Sequence, residues 1–414
     1  MELKRVVVTG LGAVSPLGNN LADTWQGLVA GVSGAVPITH FDASKFKVRF
    51  ACEVKNFDGL TSVGKEARKM DLFAQYACVA ADEAIKDSAL DLENEDRTQI
   101  GCIWGAGIGG LQTLFDEARS YVSSPDVPRF SPFFIPKIIA DIAPGYISIR
   151  NGLGGPNFGT VSACASSTTA LATAFDLIRL GKATAIVSGG SEAPVTEGGV
   201  GGFSSMKALS TRNDDPTTAS RPFDKDRDGF VIGEGGAALI LEEYEHAVKR
   251  GAHIYCEMVG AAHSADAYHI TAPHPQGEGA ARVMAAALRD AQLSPADIDY
   301  INVHGTSTPL GDVGELIAIG KVFADDAYKL NISSTKSMTG HLLGATGALE
   351  SIVCVKTIEQ GIVPPTINHF TDDPAIDSKL NLTFNAAQHR TVRAAMSNTF
   401  GFGGHNCTVV FKAI

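Results

Sequence analysis

The sequence predicts an α/β protein made of two similar halves. Three observations predict it. Short strand-like apolar runs alternate with stretches of helical spacing along the chain. At 414 residues the chain exceeds what one simple core accommodates. The same alternation starts again near Gly251, which divides the chain into 1–251 and 252–414. In the first part, Arg5–Thr9 reads as a strand, followed by a glycine loop and a helix near Leu21–Ala30. Glu66–Ser88 has helical spacing, and Gln99–Trp104 reads as a buried strand. Ala165–Leu180 is a predicted helix with Leu171, Ala174, Phe175 and Ile178 as its apolar positions and Gly181 as its stop. Strands follow at Thr184–Val187, before Gly189-Gly190, and at Ala237–Leu241. The second part repeats the theme. Strands are predicted at Ile254–Val259, Tyr300–Val303 and Cys407–Phe411, and helices at Gly279–Ala291 and from about Gly344 to Gln360.

Composition narrows the function classes. Hydrophobic residues are 44% and charged residues 19%, ordinary for a soluble globular protein. The 44 glycines cluster, as tight loops beside a site require. Lys+Arg 34 against Asp+Glu 45 gives −11, which argues against nucleic acid or an anionic membrane as main partner. Cysteines 52, 78, 102, 164, 256, 354 and 407 form no C-x-x-C pair, as expected of reduced thiols in a cytoplasmic protein. Only three valines follow Arg5 before Thr9-Gly10, too few for the apolar core of a signal peptide. No apolar run approaches the ~18 residues of a membrane span, so no membrane insertion is expected.

Three patterns imitate ligand motifs. Gly105-Ala-Gly-Ile-Gly-Gly110 spells the dinucleotide fingerprint after a strand, but Ser120–Pro136, with four prolines, stands where the acid-tipped second strand belongs. A tight loop beside a pocket is the better reading. Thr9-Gly10-Leu-Gly12-Ala-Val-Ser15 fails that fingerprint at the third glycine. Asp224-Lys-Asp-Arg-Asp-Gly229 opens like a calcium loop, yet Gly235 occupies the position that needs a bidentate Glu. His263, His269 and His274 match no metal-binding spacing, and no metal site is expected.

Chemistry concentrates elsewhere. Val161-Ser-Ala-Cys164-Ala-Ser-Ser167 lies where a strand-like segment meets a helix, with small residues on both sides of the thiol. A cysteine at a helix N-terminus feels the positive end of the dipole, so a lowered pKa and a nucleophilic role are expected. A buried, inert thiol is the competing reading. His304 ends a strand and enters Gly-Thr-Ser-Thr308, and His341 lies in Lys336-Ser-Met-Thr-Gly-His341. Strand-end residues face clefts in α/β sheets, which favours His304 as a partner for the thiol.

Taken together, these segments resemble the elongating β-ketoacyl-acyl-carrier-protein synthases, most closely the type II synthases of bacterial fatty acid synthesis. Val7–Pro16, Ser220–Phe230 and Asn398-Thr-Phe400-Gly-Phe402-Gly-Gly404 join the resemblance, which runs in family order along nearly the whole chain. The resemblance implies the thiolase fold, two duplicated halves in five αβαβα layers, and a homodimer. It implies that Cys164 accepts an acyl group from acyl carrier protein. Malonyl-carrier protein then loses CO2, and the enolate attacks the thioester. His304 and His341 would hold the enolate oxygen as neutral donors. The backbone N–H groups of Cys164 and Phe402 would form the oxyanion hole. Lys336 and Glu350 would organise the site, and Thr306 and Thr308 would hold the pantetheine arm. Phe400 would line the substrate site, and Phe402 would act as a mobile gate. Ile108 would end the acyl pocket. The stretch Pro132–Pro136 carries too much rigid apolar surface for an exposed loop, so it is expected to pack at the two-fold interface, with Phe133 or Phe134 helping to line the neighbouring acyl pocket. No cofactor is implied, because the phosphopantetheine belongs to the substrate.

The alternatives are a polyketide-type ketosynthase of the same chemistry and a non-catalytic chain-length subunit, which normally lacks the nucleophile. A starter-type synthase would carry Asn in place of the second histidine. A degradative thiolase would need a second catalytic cysteine, for which Cys407 is the one late candidate. Ser166-Ser167 and His405 depart from the usual family pattern.

Overall fold

The computed structural model describes residues 3–127 and 129–414. Ten strands carry the architecture. The first half contributes β1 (Val6–Val14), β2 (Ile100–Gly105), β3 (Asn157–Thr160), β4 (Ala185–Glu192) and β5 (Gly235–Glu243). The second contributes β6 (Cys256–Ala265), β7 (Tyr300–Asn302), β8 (Asn331–Ser333), β9 (Ala394–Gly401) and β10 (His405–Lys412). Six helices matter to the site: α1 (Leu72–Asp87), α2 (Ile142–Asn151), α3 (Ser166–Arg179), α4 (Glu278–Ala291), α5 (Pro309–Phe323) and α6 (Thr346–Gln360).

The strand order is β8-β7-β9-β10-β6-β1-β5-β4-β2-β3. Read outward from the middle, the two halves are the same. β1 pairs antiparallel with β5, β5 antiparallel with β4, and β4 and β3 both parallel with β2. β6, β10, β9, β7 and β8 repeat those relations in that order. A short antiparallel junction, Val6↔Met258 to Val8↔Cys256, joins them.

Both faces of each half-sheet are covered, so the central strands are apolar on alternate sides. On β5, Ala237, Leu239 and Leu241 enter the central core, while Ala238 and Ile240 enter the outer core of the first half. α3 and α6 supply Leu171, Phe175, Ile352 and Val355 to that central core. Each of these helices touches strands of both halves. α1 and α2 cover the outside of the first half, and α4 and α5 that of the second. The result is the five-layered thiolase arrangement.

Local sequence explains two departures from expectation. The glycine loop expected after Thr9 is strand, because β1 runs on through Gly10 and Gly12. A Cβ at either position would collide with a backbone carbonyl of α1, at Ala84 or Ala80, so the glycines let helix and strand lie together. The single helix expected over Glu66–Ser88 is broken. A 3-10 turn at Lys65–Lys69 precedes extended Met70, and the Asp71 carboxylate accepts the Phe73 N–H as N-cap of α1. Among the described residues no helix is long and apolar enough to cross a membrane.

Candidate active site

Two matching elbows build the centre. Before α3, Ala163 sits at φ 51, a left-handed conformation unusual for alanine, and turns Cys164 toward a cavity. Before α6, Leu343 repeats the conformation at φ 48, with Gly344 at the place of the cysteine. His341 lies just ahead of that second elbow. Its Nε2 is 3.2 Å from Cys164 Sγ. Its Nδ1 accepts the Leu343 N–H at 3.3 Å and lies 3.0 Å from Thr346 Oγ1. A nitrogen that accepts a backbone N–H carries no proton, so neutral His341 bears its hydrogen on Nε2, facing the sulfur.

His304 follows β7. The Glu315 carboxylate on α5 accepts the His304 and Gly305 N–H groups at 2.9 and 2.8 Å. The His304 and His341 rings meet edge to face, 5.3 Å between centroids. One ligand atom each of Cys164, His304 and His341 lie within 4.8 Å of one another. Burial holds both imidazoles well below the usual histidine range, and the Lys336 charge adds to it, so both are neutral at physiological pH. Lys336 Nζ meets Glu350 Oε1 at 2.5 Å behind the histidines. Burial pushes the Glu350 carboxyl up to about 7 against the pull of that ammonium.

The expected low pKa of Cys164 is overturned. Burial pushes the thiol up to about 11. The Phe402 N–H, the Lys336 charge and the thiol's own backbone N–H pull the other way but are outweighed. The Phe402 and Cys164 N–H groups, the two donors expected for an oxyanion hole, both act on the thiol in the direction that favours negative charge.

A cavity of 520 Å³ reaches Cys164, His304 and His341, and Thr306, Thr308, Phe400 and Phe402 also line it. Thr306 Oγ1 and Thr308 Oγ1 are 3.1 Å apart. Lys336 and Glu350 stand behind this wall. Ile108, Phe133 and Phe134 do not line the cavity. Ile108 and Phe133 are exposed on the protomer surface, at 38% and 39%.

The β-ketoacyl synthase N-terminal domain model matches residues 3–247 and the C-terminal domain model residues 255–370. The chain belongs to the β-ketoacyl synthase family. It is 49% identical over 410 residues to a 3-oxoacyl-[acyl-carrier-protein] synthase 2 of Staphylococcus aureus, covering 99% of this chain and 98% of the relative. It is 51% identical over 415 residues to the synthase of that name from Synechocystis, covering 100% and 99%. A type II polyketide ketosynthase solved with its acyl-carrier protein superimposes with a TM-score of 0.91 at 33% identity, covering 100% of both chains.

Sequence reading missed two groups that shape this β-ketoacyl synthase site, Glu192 and Glu315, whereas Asp224–Gly229 is the hydrogen-bonding and salt-bridging loop that its failure as a calcium site left. The calcium-like stretch is a brace. Ser220 Oγ donates to the Lys336 carbonyl at 2.7 Å, and the Gly229 N–H donates to that of Ser307 at 3.0 Å. Arg227, beside Asp312 at 3.4 Å, donates to the carbonyls of Thr308 and Pro309 at 3.2 and 3.0 Å. Glu315 was hidden inside an apolar helix. Glu192 had one signal, an acid closing the apolar strand β4 after Gly189-Gly190. The nucleotide-like glycine loop turns out to wrap this carboxylate.

Proposed function

We propose that this β-ketoacyl synthase catalyses a decarboxylating Claisen condensation of an acyl thioester with malonyl-acyl-carrier protein, lengthening fatty acyl chains by two carbons. The observation that carries the reading is the pairing of Cys164 with His341, whose proton is fixed on the nitrogen facing the sulfur. In the first stage Cys164 Sγ attacks the acyl carbonyl. The N–H groups of Cys164 and Phe402 receive the developing oxyanion, and the carrier thiol leaves with the cysteine proton. In the second stage the malonyl thioester binds with its pantetheine arm along Thr306 and Thr308. The bond to its carboxylate breaks, CO2 departs, and the electron pair forms an enolate whose oxygen is held by His304 and His341. The enolate carbon attacks the Cys164 thioester, the new carbon–carbon bond forms, and the thiolate leaves.

Two neutral histidines suit this work, because they donate to the oxygen without protonating the carbon that must attack. The alternatives fit less well. Identity to the polyketide ketosynthase is 33%, against 49% and 51% to the synthase 2 relatives. A thiolase's second cysteine has no counterpart, since Cys407 is wholly buried in β10 within the central core. The nucleophile argues against a chain-length subunit, and His341 against a starter-type enzyme.

The further parts of the reading are a cytoplasmic homodimer that works with acyl carrier protein and without cofactor or metal. All seven cysteines are free, which suits the cytoplasm. β3 is an edge strand with Phe158 and Val161 exposed, a surface that a second copy would cover, with Phe133 and Phe134 reaching toward the neighbour's pocket. We place the boundary between halves near Gly251, in the turn that closes the short helix Tyr244–Lys249 after β5. The protonated Nε2 of His341 has no lone pair for a metal, which supports metal-free chemistry. The test is the purified protein with acyl- and malonyl-acyl-carrier protein, following CO2 release and product length with and without a chelator. A two-carbon-longer 3-oxoacyl product, unaffected by chelation, is expected. Hydrolysis without condensation would overturn the assignment.

A further inference from the structure

We infer that Glu192 is a positioning and specificity residue, clamping the loop that carries Ile108 to the elbow that carries His341. The inference rests on the reading that Ile108 ends the acyl pocket. Glu192 closes β4 and is 1% exposed. Its Oε1 accepts the N–H groups of Ile108 and Gly109 at 3.1 and 3.2 Å. Its Oε2 accepts those of Gly107 and Gly344 at 3.0 and 3.2 Å. Three successive N–H groups converging on an anion form the nest that a glycine-rich loop offers a phosphate. Here the protein's own carboxylate fills it.

The fourth donor gives the arrangement its meaning. Gly344 follows Leu343, whose N–H fixes the proton position of His341. One carboxylate therefore joins the acyl-length loop to the histidine loop. Both glycines are needed for this approach, because a Cβ on Gly107 or Gly344 would come within 2.9 or 3.1 Å of Oε2. Ile108 is restricted at χ1, so a long acyl chain that displaces it strains its rotamer, its backbone or both. Backbone movement draws N–H groups off a buried carboxyl that burial pushes up to about 7 and that these same donors pull back toward the anion. Chain length is thus opposed at Glu192, and a chain that overcomes the opposition also loosens the His341 elbow.

The experiment compares wild type, Glu192→Gln and Ile108→Phe on a ladder of short- to long-chain acyl-carrier proteins, reading kcat/KM for condensation. In Glu192→Gln an NH2 group replaces one acceptor oxygen and faces backbone donors. Its long-to-short ratio should rise by about 10-fold, the scale at which a pocket separates chain lengths. Ile108→Phe should lower that ratio. If Ile108→Phe lowers it and Glu192→Gln leaves it unchanged, the Glu192 inference fails and the Ile108 reading stands. If Ile108→Phe changes nothing, both fail. Hydrogen exchange on wild type covers the case of a misfolded variant. Loading Cys164 with a long rather than a short acyl chain should raise exchange together at residues 107–109 and 343–345. A rise in one segment alone would overturn the clamp.

Discussion

With a pKa pushed up to about 11, the Cys164 thiol keeps its proton at neutral pH, and its reactivity must come from the donors around it. In the proposed mechanism the Phe402 and Cys164 N–H groups and the His341 Nε2–H would stabilise negative charge as it forms. Alkylation by iodoacetamide should therefore speed up by about tenfold per pH unit through the neutral range, because the thiolate is the nucleophile. A plateau between pH 7 and 8 would contradict the burial argument. Cys164→Ala should abolish acyl transfer and condensation, and mass spectrometry should find the acyl group of the wild type on this residue and on no other cysteine. His304→Ala and His341→Ala should each cut malonyl decarboxylation by roughly 10²–10³, the usual loss for one preorganised donor. Self-acylation should suffer less in at least one of them. Because both imidazoles titrate well below neutrality, wild-type decarboxylation should not fall as pH drops from 8 to 6 through protonation of these residues. Near-normal decarboxylation in both variants would remove the histidines from the mechanism.

The elbows before α3 and α6 set the precision of the centre, and Gly401 at the end of β9 limits how far the first can move. A Cβ there would lie 2.7 Å from the Ser162 carbonyl oxygen and 3.1 Å from the Cys164 nitrogen. Gly401→Ala should lower acyl-transfer rates by about 10²–10³ by displacing an oxyanion donor. Thermal melting checks that the loss is local, and a normal rate in a folded variant would show that the elbow tolerates the push. Much at this scale was legible in the sequence. α3 declared itself through one-sided apolar spacing and its glycine stop, and Cys164, His304 and His341 through small and glycine-rich neighbours. β7 and β8 are three residues each, too short for a periodicity to register on β8. The break before α1 depends on one capping carboxylate inside an otherwise helical pattern. Glu192 acts on backbone groups of distant segments and Glu315 on those of the loop before its own helix, and no apolar periodicity encodes such a partner. The thiol pKa was misread for the same reason, since burial is a property of the assembled layers and not of the helix end.

At the scale of the molecule, the open edge at β3 and the exposed apolar residues beside it predict a stable dimer, which light scattering at micromolar concentration should detect. A monomer would leave Phe133 and Phe134 without the proposed neighbour. The middle layer has a different consequence. α3 belongs by sequence to the first half and α6 to the second, yet each is packed between strands of both. Neither duplicated unit can then bury its own central helix without the other, so the boundary near Gly251 separates two copies of a topology and not two foldable bodies. Calorimetry should record one cooperative transition for the protomer. Residues 1–251 produced alone should be collapsed and sticky, with the faces of α3 and β5 left wet, and should regain order when residues 252–414 are supplied as a separate chain. The ancestral unit, which had no second half to lean on, would have met the same requirement by pairing with another copy of itself.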